Sequence, residues 1–412
     1  MKYTFGIVLV FFFIFAFRLP LFLNSTYIVY VLSAFLFFLS SKVRHNTLII
    51  IKTPVFFLLF LSILGLLIFT IVSVLINQTE DISIFPTLIN NLIALFSASI
   101  VAACLFSTSS KNIYNYFFLV LFLQSISIML MMFFPNFNEL VQSVIRTESE
   151  TEFMAQTYGG VRGFGISGSV AFGLSIVMSI LAFFTLVWFG DSSCKLKLYV
   201  KVALIALIAF ASISAGRTSI LGFSLGLAYL YFTTKPLKSI GNTLLLSFYI
   251  MLFGVSIWFL VKDTLVFSLL VKYSEYAFQM FYHYIDHGSF TTTSTTKLSS
   301  MYFGLTDWQV VIGDGLYTLD NGEYYLDTDA GFMRLALLFG VLLSILIYIS
   351  FLLYTILMTK YVAEKSSLLL MTMIAFMTFV FHYKGEVIYI NVGYMKVLYL
   401  FSFYWILKNR SS

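Results

Sequence analysis

Runs of roughly 20 apolar residues, separated by short polar breaks, recur from one end of the chain to the other. Each is long enough to cross about 30 Å of hydrocarbon at the ~1.5 Å rise of an α-helix. The breaks predict spans near residues 3–17, 26–41, 55–76, 86–107, 114–134, 166–189, 198–214, 218–233, 241–261, 330–359, 367–382 and 387–407. The expected fold is therefore an all-α polytopic transmembrane bundle of about 12 helices, one integral membrane domain over 1–412. Two connections exceed what a turn requires, 135–165 and 262–329, and long loops are where function concentrates. The second reads as an aromatic interfacial helix around Tyr273 to Tyr284, a Ser/Thr hinge from Ser289 to Thr296, and a turn at Gly313-Asp314-Gly315.

Composition agrees: 60% of residues are hydrophobic, 10% are charged, and the mean hydropathy is +0.97. A soluble enzyme with one anchor is excluded. The first run, Tyr3 to Phe17, reads as an uncleaved helix rather than a signal peptide, because no small-residue cleavage site follows Arg18. The formal charge of +6 reflects single basic residues between spans, so topology explains it and no nucleic acid is expected.

With the N-terminus inside, the cytoplasmic segments hold Lys2, Lys42, Arg44, Lys52, Lys111, Lys195, Lys197, Lys201, Lys235, Lys238, Lys360, Lys365, Lys408 and Arg410. Of the acids, only Asp191 and Glu364 join them. The positive-inside bias thus predicts cytoplasmic N- and C-termini, an even number of spans, and both long loops outside.

Cys104 and Cys194 are expected to be free thiols near the cytoplasmic face. The sequons at Asn24 and Asn77 matter only in a glycosylating host. His283 and His287 stand one helical turn apart but have no third ligand in view, and the Gly-x-Gly groupings lack the strand and Lys-Ser/Thr of a nucleotide loop.

Three arginines stand at external helix ends: Arg162, within Val161-Arg162-Gly163-Phe164-Gly165; Arg217, in Ser214-Ala215-Gly216-Arg217-Thr218; and Arg334. Planar two-toothed donors at one depth suit a diphosphate held at the interface, and glycines such as Gly163 and Gly165 let backbone approach it. Each arginine taken singly also reads as a snorkelling side chain. Asp327-Thr328-Asp329 reads as a metal pair, an N-cap, or a site for a general base at Asp329. His382, Lys384 and Glu386 gather in one short external turn, where Lys384 and Glu386 also read as a local ion pair.

The order of these pieces resembles the bacterial O-antigen polymerase (Wzy) family, within the O-antigen polymerase and ligase superfamily. The likeness rests on Arg162-Gly163, on Ser214-Ala215-Gly216-Arg217-Thr218, on Asp329-Ala330-Gly331-Phe332-Met333-Arg334-Leu335 leading to Phe339-Gly340, and on His382-Tyr383-Lys384-Gly385-Glu386. It covers roughly residues 155–395. Related ligases often carry a His-Asn pair where this chain has Asp329-Ala330, which points away from a ligase.

The resemblance implies a membrane glycosyltransferase that needs no nucleotide sugar; because no His or Cys set completes a metal site and Asp327-Thr328-Asp329 can cap a helix, it is also expected to be metal-independent, with no cofactor. It would transfer a polyprenyl-diphosphate-linked glycan onto a lipid-linked repeat unit outside the inner membrane, with membrane lipid and a chain-length regulator protein as further partners. The implied catalytic residues are Asp329, Arg217, Arg334, Glu386 and His382. Substrate would be bound by Arg162, Gly163, Gly165, Arg217, Thr218, Arg334 and Lys384. A ligase, a flippase or transporter, and a structural scaffold are the competing classes. A transporter would need ionisable groups near the membrane midplane, and the spans read as aromatic and aliphatic almost throughout.

Overall fold

Backbone groups in hydrocarbon have no water to bond, so apolar runs satisfy them internally as helices. The computed structural model describes residues 2–19, 24–108, 112–158, 163–233, 271, 275, 279–288, 293–362 and 366–411, and every regular element among them is helical. In chain order the α-helices are α1 (Lys2–Phe15), α2 (Ser25–Leu39), α3 (Ser41–Ile51), α4 (Pro54–Asn77), α5 (Phe85–Thr108), α6 (Ile113–Phe133), α7 (Pro135–Ile145), α8 (Glu148–Tyr158) and α9 (Ala171–Gly190). They continue with α10 (Leu198–Ala215), α11 (Ile220–Thr233), α12 (Gln279–His287), α13 (Thr293–Ser300), α14 (Asp307–Val311), α15 (Gly331–Phe339), α16 (Val341–Met358), α17 (Ser367–Lys384) and α18 (Val392–Ser411).

Seven of these, α4, α5, α6, α9, α10, α16 and α17, are long and apolar enough to cross a membrane. An eighth is reached if the bent pair α2 and α3 counts as one span. The pair turns through 107° at Ser40, whose hydroxyl accepts the Val43 N–H and so caps α3. The remaining expected spans differ for local reasons. Helix α1 is short, at 14 residues, as is α11; α18 has the length but carries Lys396, Lys408 and Arg410. The span expected at 241–261 lies outside the described residues, as do Arg162, Lys111, Lys235, Lys238 and Lys365.

The expected helix over 330–359 is two helices, broken at Gly340 (φ +88°), a left-handed conformation that only glycine adopts at little cost. The break strips partners from the carbonyls of Leu337 and Leu338. The expected turn at Gly313–Gly315 supplies them: Asp314 N–H donates to Leu337 O (2.6 Å), Gly315 N–H to Leu338 O (3.1 Å), and the Ser73 hydroxyl of α4 to Leu338 O as well. A Cβ on Gly313 would lie 2.7 Å from the backbone of Leu337 and Gly340, so this fit also needs glycine. The long second loop is thereby docked on the broken helix.

Helix α9 is the centre of the bundle, with 89% of its apolar window buried, against 28–67% for the other candidate spans. It packs on α6, α10, α11 and α18, and Gly222 and Gly226 bring α11 close against its Ser179 and Leu186. Aromatic stacking fills the contact with α18, where Phe184 and Phe401 lie 4.6 Å apart. Both cysteines are buried and free. The sequon amides are engaged in the fold: Asn24 donates to Ala16 O, while Asn77 accepts from Trp308 and donates to Gly313 O.

Candidate functional site

The end of α4, the turn between α10 and α11, α15 and the end of α17 meet the second long loop, and Phe172 at the start of α9 packs on Gly385 beside them. Asp81, in the α4–α5 connection, fixes the loop: its carboxylate accepts the Tyr317 (2.5 Å) and Thr318 (2.7 Å) N–H groups. Burial pushes Asp81 up, but these hydrogen bonds and those from Ser83 outweigh it and hold the carboxyl below its ordinary value. Anchored in this way, the Tyr317 ring covers one face of the Arg334 guanidinium at 3.7 Å while Tyr324 covers the other at 4.3 Å.

Arg334 is 3% exposed, and its Nε lies 3.0 Å from Glu386 Oε1. Tyr317 donates its hydroxyl to Glu386 Oε2 (2.6 Å). Burial raises the Glu386 carboxyl above its ordinary pKa, opposed by the Arg334 charge and the Tyr317 hydroxyl, and the Tyr317 hydroxyl is itself held well above the phenol value by burial. Arg334 thus reaches no open surface, contrary to its expected exposure at a helix end. The cation that pairs with Glu386 is Arg334, across space, rather than Lys384, two residues away in sequence.

Lys384 turns the other way, donating from Nζ to Thr218 Oγ1 (3.1 Å) with its ammonium 5.8 Å from the Phe172 ring. This joins the end of α17 to the short turn between α10 and α11. There Arg217, half-buried, donates to Gln279 Oε1 (2.8 Å) on α12. The structure therefore brings Arg217, Thr218 and Lys384 together.

Asp329 is exposed and sits in the field of Lys297, Arg334 and Lys384; partial desolvation raises its carboxyl above the ordinary value despite those cations. One residue short of it, Leu326 (φ +52°) and Asp327 (φ +51°) are consecutive non-glycine residues in the left-handed region, a strain of about 1 kcal/mol or more each. Asp329 is not the cap, since Ala330 is the N-cap of α15, and the Ala330 N–H donates to Thr328 Oγ1 (3.4 Å). The exposed Tyr383 ring stacks on Tyr302 (4.7 Å, 11°) beside this carboxylate.

Three expected site residues have another setting. His382 is fully buried: its Nδ1 accepts the Val387 (3.1 Å) and Ile388 (3.3 Å) N–H groups, which places the proton on Nε2, facing the Tyr348 hydroxyl at 3.4 Å. The ring holds the turn before α18 and presents no nitrogen to a substrate, so it is no candidate base. That turn also delays α18 to Val392, five residues beyond the expected start of the span. Gly163 and Gly165 face the bundle rather than a ligand. A Cβ on Gly163 would meet Ile128 and Ser214, and one on Gly165 would meet Gln124 and Ile128.

Gly331 makes the close approach the motif hides: a Cβ there would lie 2.5 Å from His382 O and 2.8 Å from Gly385 O. It lets the start of α15 touch the end of α17, which sets Asp329 and Arg334 against Lys384 and Glu386. Among the described residues no three His, Cys, Asp or Glu side chains converge as a metal site; His283 and His287 stack on each other.

Two basic residues escaped the sequence reading. Arg146 is buried at the end of α7, where an amphipathic segment of the first long loop was the available signal. Lys396 is 1% exposed inside α18, donating to Thr26 Oγ1 (3.0 Å) with Phe13 and Tyr30 rings around it. No protein-family model, curated protein or solved structure matches the chain.

Proposed function

We propose that the chain polymerises polyprenyl-diphosphate-linked glycan repeat units on the periplasmic face of a bacterial inner membrane, with twelve spans and cytoplasmic termini. The observation that carries this reading is the convergence, at one bundle end, of Arg217, Thr218 and Lys384 with the exposed Asp329. Cations beside a carboxylate suit displacement of a diphosphate by a hydroxyl.

In that reaction the acceptor sugar hydroxyl forms a bond to the anomeric carbon of the donor glycan. The bond from that carbon to the lipid diphosphate breaks, and the diphosphate departs with the electron pair. Asp329 takes the hydroxyl proton, for which a raised carboxyl pKa is an advantage near neutral pH. Arg217 and Lys384 stabilise the departing charge. The exposed Tyr383 face beside Asp329 offers a stacking surface for a sugar ring. Arg334, enclosed by two tyrosines and Glu386, is assigned positioning: it fixes the second loop against the ends of α15 and α17. Arg162 is kept as a partner for the same anion on sequence grounds.

The deciding experiment is the glycan banding pattern of a deletion strain with and without the gene. Single-repeat glycans that become a ladder on complementation are expected. Unattached long chains in the deletion strain would indicate a ligase and overturn the assignment.

A further inference from the structure

A basic cavity opens beside the segment that leads into α9. It is a cavity of about 600 Å³ between the end of α1, the first residue before α2, the α7–α8 junction and the segment leading into α9. Arg146 in its wall is 8% exposed, yet its hydrogen-bond partners are neutral: Gln142 Oε1 (2.8 Å), Ser167 O (3.2 Å) and Met154 Sδ, with the Phe164 ring at 5.0 Å. Among the described residues no carboxylate lies within 4 Å of it. Burial lowers its pKa to about 10, so it stays charged at neutral pH.

The exposed Glu150 acts on Arg146 from a distance without forming an ion pair, and a buried cation so weakly compensated is a reason to expect an anion beside it. Arg18 lines the same cavity, and Glu150, in the field of both arginines, is the one acid among the described lining residues. That carboxylate is already engaged, accepting the Thr147 N–H (2.7 Å) as part of the start of α8. Apolar side chains complete the wall, including Ile145, Met154 and the exposed Phe153. Guanidinium groups beside an apolar wall fit an anionic amphiphile better than a free ion.

The position matters as much as the chemistry. Val170 lines this cavity, while Phe172, two residues on, lies under Lys384 and Gly385 of the first site. The cavity and the Lys384 side of the first site thus both adjoin the start of α9. A polymerase condenses two carriers that each bear a lipid diphosphate, so two neighbouring anion sites are what the reaction requires.

We infer that the Arg18–Arg146 cavity holds the diphosphate of the second lipid-linked glycan, beside the start of α9 that the site of transfer also adjoins. The identity of this ligand rests on the polymerase reading, whereas the presence of an anion site does not.

The test is calorimetric titration of the purified full-length protein with farnesyl diphosphate, in competition with inorganic pyrophosphate and with phosphatidylglycerol. Wild-type protein should bind two equivalents. Arg146→Gln should weaken one of them at least about tenfold, the scale of one charge-assisted hydrogen bond. Arg18→Gln, at a half-buried position less exposed to folding defects, should weaken the same one. Arg217→Lys should weaken only the other.

Two intact equivalents in both the Arg18 and Arg146 variants, or a single equivalent lost in Arg217→Lys alone, would overturn the inference. Equal affinity for pyrophosphate would make this a free-phosphate site, and displacement by phosphatidylglycerol would make it a membrane-headgroup site; either result overturns the carrier assignment. Because the readout is binding, a failed glycan ladder with two intact sites sinks the polymerase reading, and with it the carrier's identity, and leaves the anion site standing. A normal ladder with one site sinks this inference alone.

Discussion

Glu386→Gln keeps the shape of the side chain and removes the charge that faces Arg334. The guanidinium cannot turn to water, because it is 3% exposed and its two faces lie against Tyr317 and Tyr324. It would remain as a buried cation without a counter-ion, and breaking such a pair from one side costs about 3 to 5 kcal/mol. Replacing both partners, Arg334→Met with Glu386→Leu, removes the desolvation penalty together with the attraction, so the double variant should regain most of that loss. Thermal denaturation of the purified protein in detergent should show a midpoint lowered by several degrees in the single variant and restored in the double. If Glu386→Gln were as stable as wild type, the enclosure of Arg334 would be wrong and its guanidinium would be reaching solvent. The same proteins separate structure from chemistry. A stable double variant that still builds the glycan ladder confines Arg334 to positioning; one that is folded but inactive assigns the guanidinium to the substrate.

Arg217→Lys keeps the charge but loses the two-toothed donor geometry, and the ladder should fall by about a hundredfold to a thousandfold at normal expression, the cost of one donor in a dry site. A ladder left unchanged would reduce Arg217 to an interfacial anchor. With Asp329 as the base, transfer should slow as pH falls through its raised pKa, and Asp329→Asn should abolish that acid limb along with most of the rate. The stability contribution of the same group runs oppositely: a carboxyl raised on folding favours the protonated fold, so its contribution is present at low pH and lost as pH climbs through the raised value. Cysteine placed at Lys197 should label only from the cytoplasm and cysteine at the exposed Asn321 only from outside, the reverse pattern inverting the topology. Lys396→Met should leave stability unchanged or higher, since it removes a buried ammonium held by one hydroxyl, whereas a lost ladder in a stable variant would give this lysine a function.

The helices were legible because an apolar run has one way to satisfy its backbone in hydrocarbon, which is why α4, α5, α6, α10 and α17 fall close to their expected bounds, while α9 starts five residues later than expected. Breaks within a run were less legible. Gly340 looks in sequence like any other glycine, and only the packing of Gly313–Gly315 on its orphaned carbonyls shows why the chain turns there. Lys396 was hidden for a related reason, since one lysine among Tyr394, Val397, Leu398 and Tyr399 hardly alters a run's average character.

Glycines carry a symmetrical ambiguity: a missing Cβ admits a ligand or a neighbouring side chain equally well. Gly163 and Gly165 were candidates for the first use and serve the second, while Gly331, quoted only as part of a motif, is the one that brings the site's two halves together. Charge has the same limit. Position at a helix end told where Arg217 and Arg334 would lie, but not whether a carboxylate far along the chain would reach them. Glu386, 52 residues beyond Arg334, closes that arginine off, whereas Arg146 has neutral hydrogen-bond partners, feels Glu150 only from a distance, and faces a cavity. Whether an arginine is a structural ion or a waiting ligand site is therefore decided by its counter-ion, and the counter-ion is a property of the fold.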